Sequence, residues 1–261
     1  VSRAPLNPAS WSELPVRRID VVNETGSTNA DLLARHAAGE DIRGAVLLAE
    51  HQSAGRGRNG RSWSAPPCSQ IALSIGVDAD GVPAEGWGWL PLLTGVALVD
   101  AVRSSTGIEA GVKWPNDVLV GAGKLAGILA EVAAPDPVIV VGLGINVTLT
   151  AQEAPDSRAT SLQMLGASML DRDVLAGSIL RELVARIEKW RTAKGPDTAL
   201  VEDYRRCSST LGSQVRAIMP GDREIIGVAA DIDSLGRLRI DTGTDVVTVS
   251  AGDITHLRPA D

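Results

Sequence analysis

Apolar residues along this chain switch between a period of two and a period of three to four, and the switches mark its elements. Ile19-Asp20-Val21-Val22 reads as a strand, after which Gly26-Ser27-Thr28-Asn29 opens a helix over Ala30–Ala38 that Gly39 stops. Ser27 or Thr28 caps that helix, and Asp31 stands where it would complete a capping box from Thr28. Ala45–Glu50 is a short apolar strand, and Ile71, Leu73, Ile75 and Val77 alternate as the next. Between them run roughly twenty residues without a period, a length that compact domains keep for lids and binding segments. Leu90, Leu93, Ala97 and Ala101 carry a helix over Leu90–Ser105, ended by Gly107. Three strands follow, Val112–Val120, Leu125–Val132 and Val138–Val147, parted by Gly121-Ala122-Gly123 and by Pro135-Asp136-Pro137. Leu175, Ile179, Leu183 and Ile187 recur every four residues, predicting an amphipathic helix over Asp173–Arg191 with Asp171 or Asp173 as its cap. A shorter helix from about Thr198 to Arg206 holds the only tyrosine, Tyr204. Residues 1–15, with three prolines and no period, read as an irregular lead-in.

From Leu211 onward the pattern becomes short β runs: Val215–Met219, Glu224–Ile232, Arg237–Asp241 and Val246–Ser250. Turns at Pro220-Gly221-Asp222, Asp233-Ser234-Leu235-Gly236 and Thr242-Gly243 separate them, and strands so closely spaced predict a small barrel. A boundary near Ser208–Gly212 divides a domain over residues 1–207 from one over 208–261.

Composition narrows the class. A chain of 261 residues with 44% apolar content buries a real core. Its net charge of -7 and pI near 5.1 argue against nucleic acid as the main partner, because phosphate backbones require a basic face. No apolar run reaches the about 18 residues of a membrane helix, and the first twenty residues lack a secretory pattern, so a cytoplasmic protein without membrane contact is expected. Cys68 and Cys207 form no C-x-x-C pair, and His36, His51 and His256 sit in unrelated settings. A zinc site, a disulfide framework or a Ser-His-Asp triad has little material here.

Against that acidic background one stretch stands out. Ala49–Trp63 reads A-E-H-Q-S-A-G-R-G-R-N-G-R-S-W, and no acidic residue occurs between Glu50 and Asp78. Gly55, Gly57 and Gly60 let the backbone approach a ligand, while Arg56, Arg58 and Arg61 offer forked donors to carboxylate or phosphate. Further along, Lys113-Trp114-Pro115-Asn116-Asp117 and Gly123-Lys124-Leu125-Ala126-Gly127 add two lysines near strands. Either lysine alone most simply faces solvent, and the Ser27-Thr28-Asn29 group alone only caps a helix. Together they describe a site for a ligand bearing several negative charges. The stretch is no P-loop and no dinucleotide fingerprint, since the lysine-containing motif and the following helix are missing.

In order and spacing, G-S-T-N-A-D, A-E-H-Q-S-A-G-R-G-R-N-G-R-S-W, K-W-P-N-D, G-K-L-A-G-I-L-A-E and G-L-G-I-N-V resemble the motifs of the biotin protein ligases. The resemblance covers about Glu24 to Val147. It implies an α+β fold with a mixed central sheet and flanking helices, class II synthetase-like, followed by a small SH3-like β-barrel. It further implies that biotin's carboxylate attacks the α-phosphate of ATP to give biotinyl-5′-AMP and pyrophosphate. A lysine of the biotin carboxyl carrier protein domain of a biotin-dependent carboxylase then takes the biotinyl group. By the same resemblance Ser27, Thr28, Asn29, Gln52, Gly55, Arg56, Gly57, Arg58, Lys124, Gly127, Gly142 and Gly144 contact biotin. Arg58, Arg61, Trp63, Lys113, Asn116 and Asn146 serve ATP, with Trp63 stacking on a ring, and Mg2+ rides on the phosphates. Arg56, Lys113 and Lys124 neutralise the reacting phosphate. Asp117 orients or deprotonates the incoming amine, or is simply a turn residue after Pro115.

The loop from Gly55 to Pro66 is expected to be mobile when empty and ordered over biotin or the adenylate. Some family members carry an N-terminal DNA-binding domain of about sixty residues. Only 26 residues precede Ser27 here, so a ligase without repressor function is expected. The sequence leaves oligomeric state and metal ligands open. A lipoate-type ligase is the near alternative, disfavoured by the G-R-G-R-N-G-R and K-W-P-N-D strings. A non-enzymatic biotin-sensing module needs neither two lysines nor a lid, and an RNA-binding protein would be basic.

Overall fold

The computed structural model describes residues 3–219, 224–250 and 253–256. The predicted turn Pro220-Gly221-Asp222 lies outside them. A seven-stranded sheet is ordered β1-β2-β3-β7-β6-β5-β4. Its strands are β1 (Arg18–Thr25), β2 (Ala45–Gln52), β3 (Gln70–Asp78), β4 (Gly111–Lys113), β5 (Asp117–Val120), β6 (Gly123–Val132) and β7 (Val138–Asn146). Only β1 and β2 run parallel, and the crossover helix α1 (Thr28–Ala37) joins them. The remaining pairs are antiparallel.

Alternation gives this sheet two unlike faces. Ile71, Leu73 and Ile75 of β3 and Ile139, Val141, Leu143 and Ile145 of β7 point into the main core. That core is closed by α2 (Leu90–Thr106) and α3 (Arg172–Ala193). On the other face Val138 and Val140 pack with Leu32 of α1, Ile42 and Leu47. Farther along the same face the residues become small or polar, and the candidate site begins there.

The predicted strand Val112–Val120 is instead two strands folded on each other, with Lys113 opposite Asp117. Pro115 lacks an N–H for a ladder, so the chain turns at Trp114-Pro115-Asn116, whose Trp114-Pro115 bond is cis. Helix α1 is capped by Ser27, whose Oγ accepts from Ala30 N–H, so Thr28 is already inside it. Asp31 therefore forms no capping box; it accepts from Thr25 Oγ1, and Thr28 N–H donates to Gln52 Oε1 at 2.8 Å. Asp171 caps α3 and Asp197 caps α4 (Thr198–Cys207). Within residues 3–15 the lead-in is irregular apart from a 3-10 turn at Pro8–Trp11, and buried Trp11 anchors it by donating from Nε1 to Asp173 O.

The C-terminal region is a five-stranded antiparallel sheet ordered β11-β10-β9-β8-β12. It comprises β8 (Gln214–Ile218), β9 (Glu224–Ile232), β10 (Leu238–Asp241), β11 (Val246–Val249) and β12 (Asp253–His256), the last unforeseen in so short and polar a run. Its β9–β10 turn docks on two indoles: Trp89 Nε1 donates to Ser234 O and Trp114 Nε1 to Gly236 O, both at 3.0 Å. Among the described residues no helix is long and apolar enough to cross a membrane.

Candidate active site

Directly opposed residues in a sheet share a face. The register therefore draws one row across six strands: Ala49, Ala72, Gly144, Gly127, Asp117 and Lys113. Beside it lie Ser74 opposite Gly142, and Gln70 opposite Asn146. Five of these ten residues are Gly or Ala, so the middle of the strip carries almost no side chain of its own and is bordered by charge.

The Gly-Arg loop folds over this strip. Trp63 N–H donates to Gly55 O, and Gly57 N–H to Arg61 O, which closes the loop on itself. The Trp63 indole then lies against Gly127 and Gly144, and its Nε1 donates to Gln70 Oε1 at 2.6 Å. Lys124 Nζ stands 5.5 Å from the centre of the same ring. It also pairs with Asp117 Oδ1 at 2.7 Å.

At the other end, Asn29 fills the space above Gly142. Its Nδ2 donates to Leu129 O and to Glu131 Oε2, and its Oδ1 accepts from Ser74 Oγ at 2.6 Å. Gln52 Oε1 accepts from both the N–H and the hydroxyl of Thr28. Arg56 from the loop pairs with Glu131 Oε1, so one carboxylate joins the loop to the start of α1.

Many of the predicted residues thus lie along one face, but the cations do not all meet. Glu131, the partner of Arg56, is four residues from Gly127 along β6, about 13 Å at the usual rise of a strand. Arg56 and Lys124 accordingly bracket the strip instead of converging. Arg58 Nη1 reaches Asn116 Oδ1 at 3.4 Å, and Asn116 Nδ2 donates to Ile128 O. Asn146 Nδ2 donates to Thr160 O. Lys113 borders the C-terminal sheet: burial first, and then the Lys113 charge, hold the His256 imidazole below its ordinary range. His256 Nε2 lies 3.1 Å from Thr210 Oγ1, which accepts from Trp114 N–H.

Three further residues belong to the site. Glu131 and Ser74 fix Asn29, and Gln70 holds Trp63. Gln70 is fully buried, and because its Oε1 must accept from the indole N–H, its Nε2 is left without a partner among the described residues. The signal for Gln70 and Ser74 was the alternation of β3, whose even positions had to face away from the core. Among the described residues no three His, Cys, Asp or Glu side chains gather as a metal site. Two cavities lie away from the strip, one between the β3 end and α3, the other beside Gly39 and Pro135.

Residues 23–146 match the model of the biotin/lipoate A/B protein ligase family, and residues 210–257 that of the biotin protein ligase C-terminal domain. The biotin–[acetyl-CoA-carboxylase] ligase of Mycobacterium tuberculosis is 54% identical over 245 residues, 93% of this chain and 90% of that protein. The bifunctional ligase/repressor BirA of Escherichia coli is 33% identical over 90% of this chain and 72% of its own length. A solved biotin protein ligase from Aquifex aeolicus, in complex with biotin and ATP, superposes with a TM-score of 0.77 at 25% identity, covering 93% and 99% of the two chains.

Proposed function

This chain belongs to the biotin protein ligase family, and from that premise we propose how its own residues serve the two half-reactions. It activates biotin with ATP, giving biotinyl-5′-AMP and pyrophosphate, and transfers the biotinyl group to a lysine of a carboxylase's carrier domain. The observation that carries the assignment of the site is the row at Gly127 and Gly144, covered by the Trp63 indole and bordered by Lys124 and Asp117.

A carboxylate and a triphosphate repel each other, and fixed cations in a water-poor cleft lower that barrier most. Lys124 and Arg58 are placed along the strip for the phosphates, and Arg56 at its Glu131 end. Each has a protein partner that an incoming anion would replace, so the site is balanced before substrate arrives. Thr28, Asn29 and Gln52 form an uncharged hydrogen-bonding group suited to the neutral ureido ring of biotin, with Ser27 holding the helix start. Gly55 and Gly57 shape the loop, and Gly142 and Gly144, which the resemblance put against the ligand itself, instead make room for the Asn29 amide and the Trp63 indole that would flank it. Trp63, Gln70, Asn146, Asn116, Arg61 and Lys113 border the nucleotide side. Gln70 Nε2 supplies a buried donor there.

In the second step Asp117, held by Lys124, receives or orients the carrier amine. Magnesium, which prefers oxygen ligands, would be carried by the triphosphate and would offset its charge there. A cytoplasmic setting fits ATP as substrate and two cysteines that are both free thiols.

Incubation with biotin, ATP, magnesium and a carrier domain tests the reading. Mass spectrometry should show one biotinyl group on the carrier lysine, with pyrophosphate released. Lipoate offered in place of biotin should release none.

A further inference from the structure

Glu50 and Arg172 are both almost wholly buried, at 6% and 5% side-chain exposure, and pair at 2.7 Å. Their polar atoms are bonded to backbone from separate segments of the chain. Glu50 Oε1 accepts from Leu6 N–H, Arg172 Nη2 donates to Ala4 O, and Arg172 Nη1 donates also to Gln70 O at 3.1 Å. The backbone of Glu50 closes the Gly-Arg loop at its root, where Cys68 N–H donates to Glu50 O at 2.8 Å. Gln70, gripped at its carbonyl by Arg172, is the residue whose side chain receives the Trp63 indole.

A buried ion pair is a poor device for stability alone, because desolvating two charges offsets most of their attraction. It is an effective device for geometry, because the fork of a guanidinium accepts only a few placements of its partners. We propose that Glu50 and Arg172 are positioning residues for adenylation: their pair fixes both roots of the Gly-Arg loop and, through Gln70, sets where Trp63 lies over Gly144. The lead-in segment 3–11 completes the clamp: its backbone at Ala4 and Leu6 bonds the pair, and Asn7 and Trp11 bond Asp173 at the start of α3. This inference rests on the ligase reading for its kinetic consequence but not for its structural one.

The test is the charge-free double variant Glu50→Gln/Arg172→Met, with Glu50→Asp, which keeps the charge and withdraws it by one methylene. In each, KM for ATP should rise roughly tenfold or more while KM for biotin stays within about twofold, as misplaced contacts rather than lost ones would give. Limited trypsin digestion should cut after Arg56, Arg58 or Arg61 several-fold faster, at a melting temperature that still shows a folded protein. Should the double variant fail to fold, Glu50→Asp decides by the same two readouts. Parental KM for ATP together with parental cleavage of the loop in a folded variant overturns the proposal. If the parent itself released no pyrophosphate from biotin and ATP, the ligase reading would fall, and the cleavage rates would still judge the clamp.

Discussion

Trp63 lies across Gly144 so closely that a Cβ built on the glycine would stand 2.5 Å from Nε1 and 2.6 Å from Cε2 of the indole. At Gly127, the cross-strand partner, the nearest indole atom is 3.2 Å away. The Gly144→Ala methyl must therefore push Trp63 off the strip and break its bond to Gln70, whereas Gly127→Ala asks for a few tenths of an ångström. We expect Gly144→Ala to lower kcat/KM for ATP by about 100-fold, the scale of a misplaced binding group, and Gly127→Ala to lower it clearly less. Pyrophosphate release at varied ATP measures both. Equal effects would show that Trp63 does not set nucleotide binding.

At the biotin end the same reasoning runs through Asn29. A Cβ on Gly142 would collide with the Asn29 amide, which is 3% exposed and bonded to Leu129 O, Glu131 and Ser74. Gly142→Ala should cost about 1 to 3 kcal/mol of stability through the unsatisfied polar groups it leaves. It should also raise KM for biotin while KM for ATP changes little. Asn29→Ala in the Gly142→Ala background should recover part of the stability, because the collision is gone. Thermal melts and biotin titration of the adenylation rate check this; a double variant no more stable than Gly142→Ala would contradict it.

The parts of this site that were legible in the sequence are those where backbone need and side-chain chemistry coincide. The loop arginines had no acids nearby in the sequence, whereas Gly127 and Gly144 entered through the family resemblance as room for a ligand, and it is the Trp63 indole that lies on them. The alternation Ile71, Leu73, Ile75, Val77 fixed which side of β3 is core, and so implied that Gln70 and Ser74 face the site. What stayed hidden were partners set by tertiary placement. Glu131 ends a motif as an ordinary strand acid, yet it receives both Arg56 and Asn29. Lys113 looked like one cation inside an unbroken strand, but Pro115 turns the chain and brings it opposite Asp117. Arg172 and Glu50 lie 122 residues apart, and no local pattern joins them.

The lead-in gives a prediction in pH. Arg3 donates to Thr148 and to Glu153, and this bond, with help from Thr150, holds the Glu153 carboxyl at about 2 against an ordinary 4.5. A depressed folded-state value means the unfolded chain binds more protons between those limits. The contribution is thus present above pH 4.5 and is lost as pH falls toward 2. Both side chains are partly exposed, so the effect is modest. Arg3→Ala should melt a little below the parent at pH 7, with the gap closing as pH drops through this window. A gap that widens toward pH 2 would show that another contact of Arg3 dominates.

The Lys124–Asp117 pair should separate the two half-reactions. Lys124 Nζ bonds Asp117 at 2.7 Å and stands beside the Trp63 ring, where phosphate charge would develop. Lys124→Ala removes a preorganised cation and should slow pyrophosphate release by about 100- to 1,000-fold. Asp117→Asn keeps the shape and a hydrogen-bond acceptor for Lys124 but loses the negative charge that receives an ammonium proton. Adenylation should then stay within about tenfold of the parent, whereas transfer from preformed biotinyl-5′-AMP to the carrier should fall by about 100-fold or more, as for loss of a general base. Raising the pH, which deprotonates the free carrier lysine, should restore part of that transfer. If Asp117→Asn transfers biotin at the parental rate from preformed adenylate, the carboxylate serves only to hold Lys124, and the amine is positioned by other groups.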